Sequence, residues 1–222
     1  MSRLSIVEIS DVHKVIKGNK VLSGVTLQAQ ESEVVGIVGA NGSGKTTLLR
    51  IMCGLTSVNS GVVRVMGQTL TPTAPIPQGI AVVFDPPGLL ADLTGLQNLV
   101  VISKIRDIMT NIELRELLIK VRLNPDDKRK VSKYSQGMKK RLALAISMME
   151  NPRLVLMDEP TNGLDPSGIL ELRGWISDFT VSGACVVIVG HHMEEMFAVC
   201  DTVYRMDGGI LMQIENEFNV VK

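Results

Sequence analysis

Apolar positions change their period several times along this chain. Near the N-terminus they alternate. In VTLQAQ, Val25, Leu27 and Ala29 share one face while Thr26, Gln28 and Gln30 share the other, which predicts a strand buried on one side. SIVEI, starting at Ser5, predicts a second short strand. From Glu33 to Val38 the apolar run is unbroken, as in a strand covered on both faces. A glycine-rich loop follows, then helical spacing in TLLRIMCGL. Strands are predicted again at Gly61–Gly67 and Ile80–Phe84, separated by a loop marked by Pro72, Pro75 and Pro77.

Residues 86–150 show helical periodicity with no convincing strand, most clearly in NIELRELLIKV and QGMKKRLALAISMME. Alternation of strand and helix then returns. Leu154–Met157 is a strand, LELRGWISDF a helix, Cys185–Val189 a strand and Met193–Val199 a helix. A hairpin of Val203–Met206 and Ile210–Ile214 turns through Asp207, Gly208 and Gly209. Trp175, with Ile169, Leu172, Ile176 and Phe179 at helical spacing, belongs to the core. The pattern predicts an α/β core with a parallel sheet, interrupted by a helical insertion.

Composition narrows the class. With 222 residues, 45% apolar and 21% charged, the chain suits one domain with a full core and excludes disorder. Its 23 basic and 23 acidic residues cancel, so no global field favours nucleic acid or anionic lipid. No apolar run is long enough to span a bilayer, and the N-terminus meets acid too soon for a secretory signal. Cys53, Cys185 and Cys200 are widely spaced, which suits reduced, mostly buried thiols in an intracellular protein. Basic residues do cluster at Lys128, Arg129, Lys130, Lys133, Lys139, Lys140 and Arg141. Asp126 and Asp127 adjoin them, so this run is read as a solvated surface facing phosphate and partner rather than a nucleic-acid patch.

The chemistry concentrates in two places. Gly39, Ala40, Asn41, Gly42, Ser43, Gly44, Lys45 and Thr46 match G-x-x-x-x-G-K-[ST] between a buried strand and a helix. Glycines let the backbone N–H groups curl into an anion nest at the helix N-terminus, Lys45 brings charge to the β and γ phosphates, and the Thr46 hydroxyl can ligate Mg²⁺. The second place is the end of the Leu154–Met157 strand, where Asp158 and Glu159 stand together. Acids there reach the carboxyl edge of an open sheet, where Asp158 can hold the metal through its water shell and Glu159 can accept a proton from water.

With these residues in place, the sequence resembles the ATP-binding cassette ATPases, the nucleotide-binding subunits of ABC transporters. The match extends over nearly the whole chain: the glycine loop, the loop after Ile80–Phe84, YSQGM at Tyr134–Met138, LVLMDEP, TNGLDP at Thr161–Pro166, and Gly190-His191 stand in family order. YSQGMKKRLALA followed by DEPTNGLDP is similar to the branch of peptide, antibiotic and bacteriocin-immunity exporters. The resemblance implies a P-loop core of ABC type with an N-terminal antiparallel β subdomain. Residues 1–85 and 151–222 would form core and β subdomain, and 86–150 a helical subdomain carrying the signature.

It also implies ATP and Mg²⁺ as cofactors, contacts from Thr47 as well as the loop, and two subunits facing head to tail. Ser135 and Gly137 would touch the γ phosphate of the partner's nucleotide, Asp165 would reach across the interface, and His191, rather than His192, would contact the γ phosphate and the attacking water. The implied function is ATP hydrolysis that powers a separate multi-spanning permease, for export of a peptide, antibiotic or other small molecule. Such a subunit is a homo- or heterodimer lying on the inner face of the cell membrane, with no nucleic acid bound. The rival is a non-transport ATPase or nucleotide switch acting on nucleic acid.

Two positions depart from the family pattern. Ile16 stands where an aromatic stacks on adenine, giving burial without π-stacking. Asp85 stands in place of a glutamine; it is expected either to ligate Mg²⁺ and take part in catalysis or only to cap the Pro86-Pro87 turn.

Overall fold

Strands covered on one face and strands covered on both sort into different sheets. The computed structural model describes residues 4–106 and 108–215. There the chain runs β1 (Ser5–Ile16), β2 (Asn19–Gln30), β3 (Val34–Val38), α1 (Lys45–Met52), β4 (Ser60–Val65), β5 (Gln68–Thr69) and β6 (Ile80–Val83). It continues through α2 (Gly95–Arg106), α3 (Asn111–Lys120), a 3-10 turn at Val131–Lys133 and α4 (Gln136–Met148). The last elements are β7 (Leu154–Asp158), α5 (Pro166–Val181), β8 (Cys185–Gly190), α6 (Met193–Phe197), β9 (Thr202–Asp207) and β10 (Ile210–Ile214). The outermost residues assigned to the single domain, 1–3 and 216–222, and residue 107 lie outside the described residues.

One sheet is antiparallel, in the order β2-β1-β4-β5; the other runs β10-β9-β3-β8-β7-β6, parallel except for β10. Strands β3, β7 and β8 are buried at every position. Alternate residues feed two cores. Val34, Val38, Val155, Met157, Val186 and Ile188 pack with the helical side, including Leu118, Leu142, Trp175 and Phe179. Val35, Ile37, Leu154, Leu156, Val187 and Val189 pack with α1 and the antiparallel sheet. Each side chain so buried stabilises the fold by about 1.5–3 kcal/mol, which is why these strands contain no polar residue until their ends.

The N-terminal strands are longer than alternation predicts: SIVEI and VTLQAQ are parts of two 12-residue partners. Register shifts between Ile9 and Val12 and between Val12 and Lys14, with Asp11 at φ 48°, break the period and hide the continuity. Helix α6 stops at Phe197, two residues short of the predicted end. Helix α5 extends well beyond LELRGWISDF because Asp165 caps it and Pro166 starts it.

The strands of the parallel sheet finish together. Val38 pairs with Gly190, Asp158 with Val189, and Val83 with Met157. The segments leaving β3, β6, β7 and β8 therefore emerge side by side at one carboxyl edge. They carry the glycine loop, Asp85, Asp158-Glu159 and His191.

Candidate active site

The glycine loop is shaped by what a side chain would hit. A Cβ on Gly39 would run into the Met206 carbonyl oxygen. Gly44 has a φ of 113°, and a Cβ there would sit 2.8 Å from the Val21 carbonyl oxygen. Gly44 begins α1 without a side-chain cap, and no acid stands in the first turn. The helix thus presents its first N–H groups and positive end without a built-in anion. Lys45 is 5% exposed and curls back, its Nζ donating to Gly39 O at 2.7 Å and Ala40 O at 3.0 Å.

Across the cleft, Asp158 is buried and accepts from the Thr46 hydroxyl at 3.3 Å. Burial pushes its carboxyl above the usual carboxylate range; the Thr46 hydrogen bond opposes this, and the charges of Glu159 and Asp85 reinforce it. Glu159 adopts φ 49°, a left-handed conformation unusual for glutamate, with its N–H bonded to Val189 O at 2.9 Å. This turn aims its carboxylate between two groups: Oε1 is 4.0 Å from Lys45 Nζ, and Oε2 is 2.7 Å from His191 Nδ1. The His192 ring lies 3.9 Å from that of His191. Asp85 faces Asn162, whose Nδ2 is 3.4 Å from Oδ2, and Lys140, whose Nζ is 3.8 Å away.

Together these residues enclose a cleft of about 260 Å³, lined by Val21, Asn41, Gly42, Gly44, Lys45, Thr46, Thr47, Asp85, Asp158 and Glu159. A floor of N–H groups, an ammonium and a hydroxyl face a wall of carboxylates. That arrangement can hold a polyphosphate and take a proton from water beside it.

Comparison with known proteins agrees with this chemistry. The model of the ABC transporter family matches residues 22–162. The chain is 34% identical over 214 residues to the ABC transporter ATP-binding protein YhcH of Bacillus subtilis, covering 96% of this chain and 70% of that one. It is 33% identical to the lantibiotic transport ATP-binding protein SrtF of Streptococcus pyogenes, covering 95% and 91%. A solved ATP-binding subunit of an ABC transporter shares the fold with a TM-score of 0.83 at 24% identity, covering 94% and 90%. The chain belongs to the ABC transporter family. It is the ATP-binding, ATP-hydrolysing subunit of a transport system, and the nucleic-acid reading is not favoured.

The other expected positions of this cassette lie outside the cleft lining. Ser135 caps α4, its hydroxyl accepting the Met138 N–H at 3.2 Å, and is exposed. Gly137 is half-buried beside Leu164. Asp165 caps α5, accepting the Gly168 N–H at 2.9 Å and the Ser167 hydroxyl at 3.1 Å. These two bonds, the first above all, hold its carboxyl below the usual range. Ile16 is 39% exposed at the tip of the β1–β2 hairpin. Ser43 is buried within the glycine loop.

One expectation is corrected. Lys140 is not part of a solvated surface: it is 5% exposed, and its Nζ donates to the carbonyls of Glu159 at 2.6 Å and Asn162 at 2.5 Å. Its place on α4 explains this, because Lys140 shares a face with the buried Leu144 and Ser147. Lys128, Arg129, Lys130 and Lys133 are exposed as expected. Val21 and Asn162 were also missed. Val21 carries no chemical signal, and Asn162 stood within TNGLDP without an assigned task.

Proposed function

We propose that this cassette acts as one of two ATPase subunits facing head to tail, with ATP between the glycine loop of one and the signature segment of the other. The observation that carries this is the division of groups. The cleft gathers Lys45, Thr46, Asp158 and Glu159, while Ser135 and Gly137 stand apart from it with Ser135 exposed. Leu164, next to Asp165, packs within 3.7 Å of where a Gly137 Cβ would be, so signature and Asp165 loop share one surface. That surface is suited to a second copy or a close homologue.

Within the site, Lys45 leaves its two carbonyl partners to neutralise the β and γ phosphates, and the loop N–H groups from Gly39 to Thr47 bind their oxygens. Glu159 takes the proton of the attacking water, and His191, bonded to it, orients that water and the γ phosphate. Ile16 gives the adenine an apolar contact without stacking. The donors also fit Mg²⁺: the Thr46 hydroxyl and the Asp158 carboxylate are hard oxygen ligands, whereas the Asp85 carboxylate is engaged by Asn162 and Lys140. Among the described residues no three His, Cys, Asp or Glu side chains form a metal cage. When bound, Mg²⁺ supplies further charge neutralisation on the transferring phosphoryl group.

The similarity to a lantibiotic transport subunit supports export of a peptide, antibiotic or other small molecule. The similarity to transport ATP-binding subunits supports a separate permease as the source of the membrane spans; no helix among the described residues is long and apolar enough to cross a membrane. The loop at 85–90 and the helical segment are its contact surface, and Leu90 and Ile112 expose apolar area there. The cassette then sits on the cytoplasmic face of the membrane.

The test is Glu159→Gln. Turnover falls by a factor of about 100 to 10,000, and ATP with Mg²⁺ traps a dimer on size exclusion. Wild-type turnover in this variant would refute the assignment of the base. Co-purification with a multi-spanning protein supports the transport reading; RNA or DNA in its place contradicts it.

A further inference from the structure

Lys140 is a buried ammonium that the family chemistry above does not use. It projects from α4, the helix that Ser135 caps, and all its partners lie around the cleft. Its strongest contacts are to the carbonyl oxygens of Glu159 and Asn162, which bracket the turn closed by the Asn162 N–H on Glu159 O at 3.2 Å. That turn holds Glu159 in its left-handed conformation. The third contact, at 3.8 Å, is Asp85, whose other partner is Asn162. Burial lowers the affinity of Lys140 for its proton, and the charges of Asp85 and then Glu159 restore part of it.

We infer that Lys140 is a positioning residue with two separable tasks: it fixes the turn that aims the Glu159 carboxylate, and it cancels the charge of Asp85 beside the phosphate site. The inference rests on the reading of Glu159 as base. The first task concerns turnover, because a proton acceptor displaced by a fraction of an ångström loses catalytic effect without losing ligand. The second concerns affinity, because an unpaired carboxylate at the cleft repels a polyphosphate. The pair also accounts for an aspartate where the resemblance leads one to expect a neutral amide: an ammonium facing the carboxylate makes the two together neutral.

The experiment uses the full chain and reads turnover and the binding of trinitrophenyl-ATP separately, the latter without turnover. Lys140→Met keeps the length of the side chain and removes the charge and the donors. It lowers kcat about tenfold or more, and weakens nucleotide binding about threefold or more. Adding Asp85→Asn to it restores the affinity but not kcat. A kcat within about twofold of wild type overturns the positioning task, and affinity that Asp85→Asn fails to restore overturns the charge task. Should Lys140→Met fail to fold, the neutral pair Asp85→Gln/Lys140→Gln is measured instead. It binds nucleotide as the wild type does with kcat about tenfold lower, and wild-type kcat there refutes the inference equally. If Glu159→Gln hydrolyses ATP normally, the reading of the base fails; if that variant is inactive while Lys140→Met is normal, the Lys140 inference alone fails.

Discussion

Gly36 lies in the middle of β3, between Ile188 of β8 and Val203 of β9, where a β-branched residue would usually pack. The reason is α6. A Cβ at position 36 would stand 2.8 Å from Cys200 Sγ, 3.3 Å from Cys200 Cβ and 3.4 Å from Met196 Cβ. Gly36→Ala gains about 0.5–1 kcal/mol from the chain freedom that glycine loses on folding. Overpacking costs about 1–3 kcal/mol. The sulfur makes the one overlap that cannot stand, whereas the two Cβ contacts call for shifts of only a few tenths of an ångström. With one contact at 2.8 Å the cost falls in the upper part of that range, about 2–3 kcal/mol, and the expected net loss is about 1–2.5 kcal/mol. For a chain of this size that lowers Tm by about 2–10 °C. Helix α6 starts directly after His192, so pushing it outward also shifts His191 from Glu159; kcat falls while ATP affinity is retained. Urea melts of Gly36→Ala, Cys200→Ala and the double variant test the cause. With the sulfur gone, the added methyl has room, and the double variant is more stable than the sum of the singles by about 1 kcal/mol. Additive losses, or a Gly36→Ala protein as stable as wild type, would refute the close-packing argument.

Asp158→Asn keeps an acceptor for the Thr46 hydroxyl and removes a buried charge crowded by Glu159 and Asp85, so the nucleotide-free protein gains roughly 1 kcal/mol in urea while its ATPase activity is lost. A less stable variant contradicts the account of that crowding. Two thiols give a dependence on pH: the burial of Cys185 and the partial burial of Cys200 push both from 9.0 to about 12, so the folded state keeps its protons where the unfolded chain ionises. Their contribution to stability is full below about pH 9 and lost as pH rises towards 12, and the urea midpoint falls over that range less steeply in Cys185→Ala. An equal slope in that variant counts against burial as the cause.

Which parts of this molecule could be read from the chain follows from how local each determinant is. The central strands were legible because burial on two faces leaves an unbroken apolar run, and the first carboxylate after it must fall at the carboxyl edge. That one rule located Asp158 and Glu159. The long N-terminal hairpin was hidden because its bulges reset a period of two, and no window of alternation crosses them. Lys140 was obscured by its neighbours. Grouping it with Lys139 and Arg141 treats adjacency as proximity, whereas successive helical positions turn about 100° apart. Projected on α4, Lys140 lines up with Leu144 and Ser147, so the signal for burial was there and needed the helix to reveal it.

Ser135 and Asp165 pose a different problem, because each already has a sufficient local reason to exist. Serine and aspartate are favoured N-caps, and here both side chains accept first-turn N–H groups. A local reading therefore ends at the cap and has no need of a partner. Yet a cap places a polar side chain where the helix presents its positive end, and on α4 that end is exposed rather than buried under the chain's own nucleotide cleft. On the head-to-tail arrangement proposed above, the same geometry that stabilises α4 alone leaves it open to an anion held by another subunit, and what the chain alone leaves illegible is the phosphate that a second copy would bring.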